Sequence, residues 1–496
     1  MAPGAGALTL PEARGYPSPM KSDLAALVLA AGQGKRMKTQ LPKVLHRCGG
    51  IPLVAHVVRL ALARKCSPVV VVVSPATLAP VREVMTALFP DAPLRFAVQT
   101  TPRGTGDAAR VGLEALGRFD GRVLILYGDV PLLRPATIAR LEKAARKAPL
   151  ALLTAELDDA TGYGRVVRAS ATVARIVEHK DATADELAIR EINAGVYVTR
   201  ASLLRRAVKS LSAQNAQGEL YLTDIVPLAA RAGGAVPVQV DDFAEVRGVN
   251  TRAELAQAEL TLRARLVAEH QAAGVTFRDP ASVVIGVDVK LEPDVEIGAG
   301  VQLHGKVKIG RGTRVEGPTL IRDSVIAGGA EINAFCHIDG AEVSRGAKVG
   351  PFARLRPGAQ LDDEAHVGNF VEVKKARVGK GAKANHLAYI GDATVGAGAN
   401  IGAGTITCNY DGVNKNPTTI GKGAFIGSNS TLVAPIVIGD GAYVAAGSTL
   451  THEVPKDALA FGRARQSNRE GYAAELRRRM HAAKAAKTRP TVKEKK

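Results

Sequence analysis

Tryptophan is absent from this chain, and aromatic residues make up only 4% of it. A core built on large stacked rings is excluded, so any interior must be filled by aliphatics. Cysteine is nearly as sparse: Cys48, Cys66, Cys336 and Cys408 are the four in 496 residues, and none belongs to a CxxC pair. That spacing argues against a disulfide framework and against a thiolate zinc site, and it fits a reducing, cytoplasmic compartment. No apolar run reaches membrane-spanning length. Residues 25–31 are apolar but short, lack a basic leader, and read as a first strand. A Walker A loop is missing too, as is a full dinucleotide fingerprint.

What the chain does have is a period of six. Ile285, Leu291, Ile297, Leu303, Ile309 and Val315 form one run, Val343 to Val373 a second, and Ile420 to Leu450 a third. Many of these aliphatics are followed by Gly, as in Ile297-Gly298 and Ile438-Gly439. Six matches neither an amphipathic helix nor a strand ladder. It is the repeat of a parallel β-helix, with one short strand and one corner per flat face. Small aliphatics suit that narrow interior. The phase slips by one at Ile338/Val343 and at Val373/Val378, and residues 407–419 read as an insertion between Ile401 and Ile420.

Ahead of the repeat, short apolar runs at Leu24–Ala30, Val69–Val73, Leu94–Val98 and Val123–Tyr127 alternate with helical patterns at 53–64, 79–87, 107–116 and 137–147. That alternation implies an α/β, Rossmann-like domain with a mainly parallel sheet. Thr251-Arg252-Ala253-Glu254 is a capping box opening a helical arm. The expected layout is a disordered extension at 1–22, an α/β domain at 23–250, a linker arm at 251–274, the β-helix at 275–463 and a basic tail at 464–496. Met20 is a candidate start. The formal charge is +19, of which the tail, with eleven Lys/Arg against three Glu, contributes +8. Without interleaved aromatics or glycines it reads as a solvated end, so neither a nucleic-acid nor a membrane partner is expected.

The first strand runs into Leu29-Ala30-Ala31-Gly32-Gln33-Gly34-Lys35-Arg36-Met37, then Leu41-Pro42-Lys43. Glycines after a strand let backbone N–H groups approach a phosphate, and Arg36 and Lys43 supply positive charge. With its downstream Pro-Lys, this GxGxRM segment resembles the sugar nucleotidyltransferases. Gln99 and Gly104-Thr105-Gly106 resemble that family's base-binding segment. Tyr127-Gly128-Asp129 closes a strand, placing Asp129 where parallel sheets hold ligands. Gly164 in Gly162-Tyr163-Gly164-Arg165, Glu178 and Asn193 match sugar-contacting segments. The resemblance implies that Asp129 and Asn250 hold Mg²⁺, and that Leu29, Ala30, Ala31, Gly32, Lys43, Gln99, Gly104, Thr105 and Tyr127 bind nucleotide. Arg36 and Lys43 act catalytically.

In the repeat, polar residues gather at Asn385-His386-Leu387-Ala388-Tyr389, Asn400–Thr405 and Thr407-Cys408-Asn409-Tyr410-Asp411-Gly412. Together with the N-terminal motifs, these resemble the bacterial bifunctional GlmU family over residues 23–463. The resemblance implies a left-handed β-helix, a homotrimer, and two reactions. The first acetylates glucosamine 1-phosphate with acetyl-CoA. The second transfers uridylyl from UTP to N-acetylglucosamine 1-phosphate, giving UDP-N-acetylglucosamine for peptidoglycan and lipopolysaccharide precursors. His386 becomes the general base, with Glu372 suggested to orient it. Arg356, Lys374, Tyr389 and Asn400 take the sugar phosphate. Ala403, Asn409, Tyr410, Ser428, Ala446 and Arg463 take acetyl-CoA. Pro102-Arg103, where relatives often carry Gln-Leu, and Asn385, where Gly is frequent, depart from the pattern. A β-helical zinc enzyme would need paired histidines that this spacing lacks. A regulatory, non-catalytic subunit would tend to lose Arg36, Lys43 and Asp129, which are present.

Overall fold

A computed structural model describes residues 22–488; residues 1–21 of the expected extension, with Met20, lie outside the described residues. The chain divides into two compact units, residues 1–308 and 309–496.

In the first unit, β1 (Leu24–Leu29) is followed by a hairpin, β2 (Arg47–Cys48) and β3 (Ile51–Pro52), then α1 (Leu53–Ala63), β4 (Val69–Val73), α2 (Pro75–Leu88), β5 (Leu94–Val98), α3 (Thr105–Leu116), β6 (Arg122–Tyr127) and α4 (Pro135–Ala145). Next come β7 (Leu150–Glu156), β8 (Arg165–Ala169), β9 (Thr172–Val177), α5 (Ala184–Leu187), β10 (Glu191–Arg200), α6 (Ala201–Lys209), α7 (Ile225–Arg231), β11 (Ala235–Gln239) and α8 (Arg252–Ala272). The sheet runs β11-β7-β10-β6-β1-β4-β5, with the β8–β9 ribbon attached to β10. Its centre is parallel, as expected for this α/β domain, while β10 lies antiparallel between β6 and β7 and makes the whole sheet mixed.

Both faces of β1 are covered, which is why its sequence is apolar throughout. Ala26 and Val28 pack toward α1, α2 and α4; Ala25 and Leu27 pack toward α3, α6 and α7. At the arm helix, the capping box closes as the sequence demands. The Thr251 hydroxyl accepts from Glu254 N at 3.2 Å, and the Glu254 carboxylate accepts from Thr251 N at 2.9 Å. The arm covers the β2–β3 hairpin through Ala258 against Cys48 and Leu53, and Glu259 accepts from Gly49 N at 2.6 Å.

Parallel-paired short strands of the left-handed β-helix already begin at Thr276 and Val284 in the first unit, and the second unit is built of three parallel ladders of them. One inward column is Val315, Ile332, Val349, Val367, Ala384, Ile401, Ile426 and Val444, all buried. The phase slips are corners one residue shorter, between strands 337–339 and 342–343 and between 372–374 and 377–378. The insertion is narrower than expected. Ile406–Cys408 and Thr418–Ile420 are strands of the coil, so the loop proper is 409–417. Thr407 fills an inward position normally aliphatic, its hydroxyl meeting Gly391 N at 2.8 Å. The tail carries a helix, Tyr472–Thr488, with its side chains exposed through residue 487.

Candidate active sites

The first site lies at the carboxyl ends of β1, β4, β5 and β6, where a parallel sheet splays its loops. A cavity of about 300 Å³ opens there, lined by Leu29, Ala30, Ala31, Gly32, Gln33, Lys43, Val44, Gln99, Pro102, Gly104, Thr105, Ala108, Tyr127, Asp129 and Glu219. Every expected nucleotide residue from the first three loops is among them. Pro102, singled out in the sequence as a departure, lines the cavity too; Gln33, Val44, Ala108 and Glu219 were not foreseen, and Glu219 reaches the cavity from a distant loop.

Gly34 sets the loop's shape. Its φ is +63°, and a Cβ there would sit 2.6 Å from Lys43 Cβ. The Lys43 ammonium bonds to the Asp129 carboxylate and to Asn250 Oδ1 at 3.0 Å, so two oxygen donors share one cation position. Asn250 is fixed in turn, its N–H donating to Glu254 at 2.6 Å. Arg36 stands on a one-turn 3-10 helix, Lys35–Met37, and is exposed outside the cavity lining. The Gln99 amide nitrogen donates to Gly104 O at 3.2 Å and to buried Asp107 at 2.9 Å, which leaves its carbonyl oxygen for a ligand's N–H.

Gly164, Glu178 and Asn193 form a neighbouring cluster. Asn193 N donates to Gly164 O at 2.9 Å, and the Asn193 side chain holds Tyr197 and Gly195. Burial raises the Glu178 carboxyl above its ordinary value, partly offset by the Thr223 hydroxyl at 3.1 Å. Gly195 makes room for Tyr127, since a Cβ there would meet the ring at 2.7 Å.

The second site is built from corners of the β-helix. Leu387 N donates to Asn369 O at 3.0 Å, Gly404 N to Leu387 O at 2.9 Å, Asn429 N to Ala403 O at 2.7 Å and Gly447 N to Ser428 O at 2.8 Å. These steps stack Asn369, His386, Ala403, Ser428 and Ala446 along one edge, with Arg463 close to Gly447. The next edge carries Arg356, Lys374, Asp392 and Asn409, the Asn409 amide bonding to the Asp392 carboxylate. Tyr389 begins the strand between the two edges, with Gly391 clearing space for its ring. Asn400 sits half-buried on the adjoining face, and Tyr410 is exposed at the start of the loop.

Lys374 is pushed below its ordinary range, first by Lys415 and also by Arg356. Three cations crowded together in this way fit an anionic group such as a phosphate. Lys415, inside the loop, was not singled out from sequence. Glu372 does not orient His386: it accepts from Arg356 at 2.8 Å and from Arg354 at 3.5 Å. The His386 ring instead meets Asn369 Oδ1 at 2.7 Å through Nδ1. Among the described residues, no cluster of three or more His, Cys, Asp or Glu could hold a metal.

Residues 26–188 match the MobA-like NTP transferase domain, and residues 417–452 match the hexapeptide repeat of succinyl-transferase. Bifunctional protein GlmU of Anaeromyxobacter sp. (strain Fw109-5) is 52% identical over 458 residues, covering 91% of this chain and 92% of that protein. The protein of that name from Sorangium cellulosum (strain So ce56) is 49% identical over 467 residues, covering 92% and 97%. That of Paracoccus denitrificans (strain Pd 1222) is 47% identical over 454 residues, covering 91% and 97%.

Proposed function

The chain belongs to the bifunctional GlmU family, and we propose how its residues divide the two reactions. It is an acyltransferase and a nucleotidyltransferase. It acetylates glucosamine 1-phosphate from acetyl-CoA, then joins N-acetylglucosamine 1-phosphate to uridylyl from UTP, releasing pyrophosphate. The observation that carries the division is that each unit holds one polar cluster suited to one of these chemistries.

In the first unit a sugar phosphate oxygen attacks the α-phosphorus in line. The phosphate is already ionised, so no protein base is needed, and catalysis is positioning and charge balance. Gly32 and its neighbours bring backbone N–H groups to the triphosphate; Lys43 neutralises it, with Arg36 at the rim. Gln99 offers its free carbonyl oxygen to the uracil N–H. Gly164, Glu178 and Asn193 hold the sugar. Asp129 and Asn250 already turn two oxygens to one cation, a donor set that suits Mg²⁺, which keeps waters and phosphate oxygens in its shell. Bound there, Mg²⁺ would supply further neutralisation of the triphosphate.

In the second unit Arg356, Lys374 and Lys415 grip the sugar phosphate, while Tyr389 and Asn400 orient the sugar. His386 takes a proton from the amine as it attacks the thioester carbonyl, and the CoA thiolate leaves. Acetyl-CoA lies along the edge of Ala403, Ser428, Ala446 and Arg463, with Asn409 and Tyr410 beside it.

A homotrimer is supported by exposed rings: Phe335, Phe352 and Phe370 stack at 4.8 and 5.2 Å, and Phe425 on Tyr443 at 4.5 Å. A cytoplasmic setting fits the free, mostly buried thiols, and no described helix is long and apolar enough to cross a membrane. The test is to incubate purified protein with glucosamine 1-phosphate, acetyl-CoA, UTP and Mg²⁺, omitting each in turn. Every omission should abolish UDP-N-acetylglucosamine, and product formed without acetyl-CoA would refute the sequence.

A further inference from the structure

The role of His386 as base depends on how its ring is held. An amide oxygen can only accept, so the 2.7 Å contact with Asn369 puts the proton on Nδ1 and leaves Nε2 with a free lone pair. We propose that Asn369 is the positioning residue of the acetyl-transfer site, its amide oxygen fixing the His386 tautomer and turning Nε2 toward the attacking amine. This rests on His386 being the base.

Several features hold the pair in place. Asn369 and His386 stand opposite each other in the register of strands 366–369 and 383–386. Just past them, Leu387 N donates to Asn369 O at 3.0 Å, locking the two corners together. The coils approach so closely that a Cβ on Gly368 would lie 2.1 Å from Asn385 O. The carboxylate suggested from sequence, Glu372, is occupied by Arg356 and Arg354. The other ionisable groups on these strands are His366, beside Lys348, and Lys383. Neither makes the Nδ1 contact.

An amide here has a chemical advantage over a carboxylate. A carboxylate would stabilise the imidazolium and raise the pH at which the ring becomes a competent base. An amide orients the ring through Nδ1 without adding a charge beside it. The pairing couples residues seventeen apart, one coil step, so no local motif announces it.

The test measures acetyl transfer against pH for the full chain carrying Asn369→Leu, Asn369→Asp or His386→Gln, with uridylyl transfer as the readout of folding. Asn369→Leu should lower kcat by about 10- to 100-fold, part of what a well-placed base contributes, with little change in either KM. Asn369→Asp should recover much of that kcat while moving the acidic limb of the profile up by about one unit or more. If Asn369→Leu cannot fold, the nearly isosteric Asp variant decides alone. A limb that stays where it was overturns the proposal. Wild-type kcat in Asn369→Leu beside an inactive His386→Gln also overturns it, leaving the base assignment intact. Full acetyl transfer in His386→Gln would instead remove the base assignment, and this inference with it.

Discussion

Gly34 shows how much one missing side chain can matter. Its left-handed backbone and the 2.6 Å approach of Lys43 leave no room for a methyl group. Gly34→Ala should displace Lys43 and cut uridylyl transfer at least tenfold, with acetyl transfer unchanged; assaying both on one preparation checks this. The thiols give a second expectation. Burial pushes Cys66 up to about 12 and Cys336 to about 11, and raises Cys48 further. Only Cys408 is partly accessible, so a thiol reagent at pH 8 should modify at most one cysteine in native protein and four after denaturation. Lys43, Asp129 and Asn250 were legible because each sits in a compact motif. Asn369, Lys415, Thr223 and Glu219 were not, because each owes its place to the neighbouring coil or to a distant loop. Glu372 misled for a related reason: a carboxylate near a histidine suggests a pair, but the arginines on the adjacent coil claim it.

Among elements, the coils of the β-helix tolerate least. Gly368→Ala would force strands 366–369 and 383–386 apart, at a cost of roughly 1–3 kcal/mol. The temperature at which acetyl transfer is lost should fall while that for uridylyl transfer stays put. Helix α1 carries a pH-sensitive group. His56 is half-buried, its ring meeting Cys48 O at 2.8 Å, and desolvation lowers it to about 4. The unfolded chain protonates near 6.5, so it binds more protons than the fold between those values. Stability contributed by neutral His56 is therefore present above 6.5 and lost as pH falls toward 4, on the order of 3 kcal/mol. The urea midpoint of the first unit should drop between pH 7 and 5, and His56→Gln should flatten that slope. Of the strands read correctly in the first unit, β1, β4 and β6 carry aliphatic runs, while β5 kept its apolar pattern around Arg95. Strands β7 to β11 went unassigned, and the insertion was drawn too wide because Thr407 holds a core position with a self-satisfied hydroxyl.

For the whole molecule, the arm changes where the chain can be cut. Arg265 donates to Asp242 at 2.7 Å, and α8 shields Cys48, Leu53, Leu132 and Val249. A fragment ending at 250 exposes that surface, whereas one ending at 308 keeps it. The longer fragment should retain uridylyl transfer and melt higher, as calorimetry would register. Two independent sites remain the centre of the account, and one paired measurement addresses them directly. Both activities should be assayed in full-length Asp129→Asn and His386→Ala. The first should lose uridylyl transfer by about 100-fold or more and keep acetyl transfer, and the second should do the reverse. Either substitution silencing both activities in folded protein, or neither, would contradict the account.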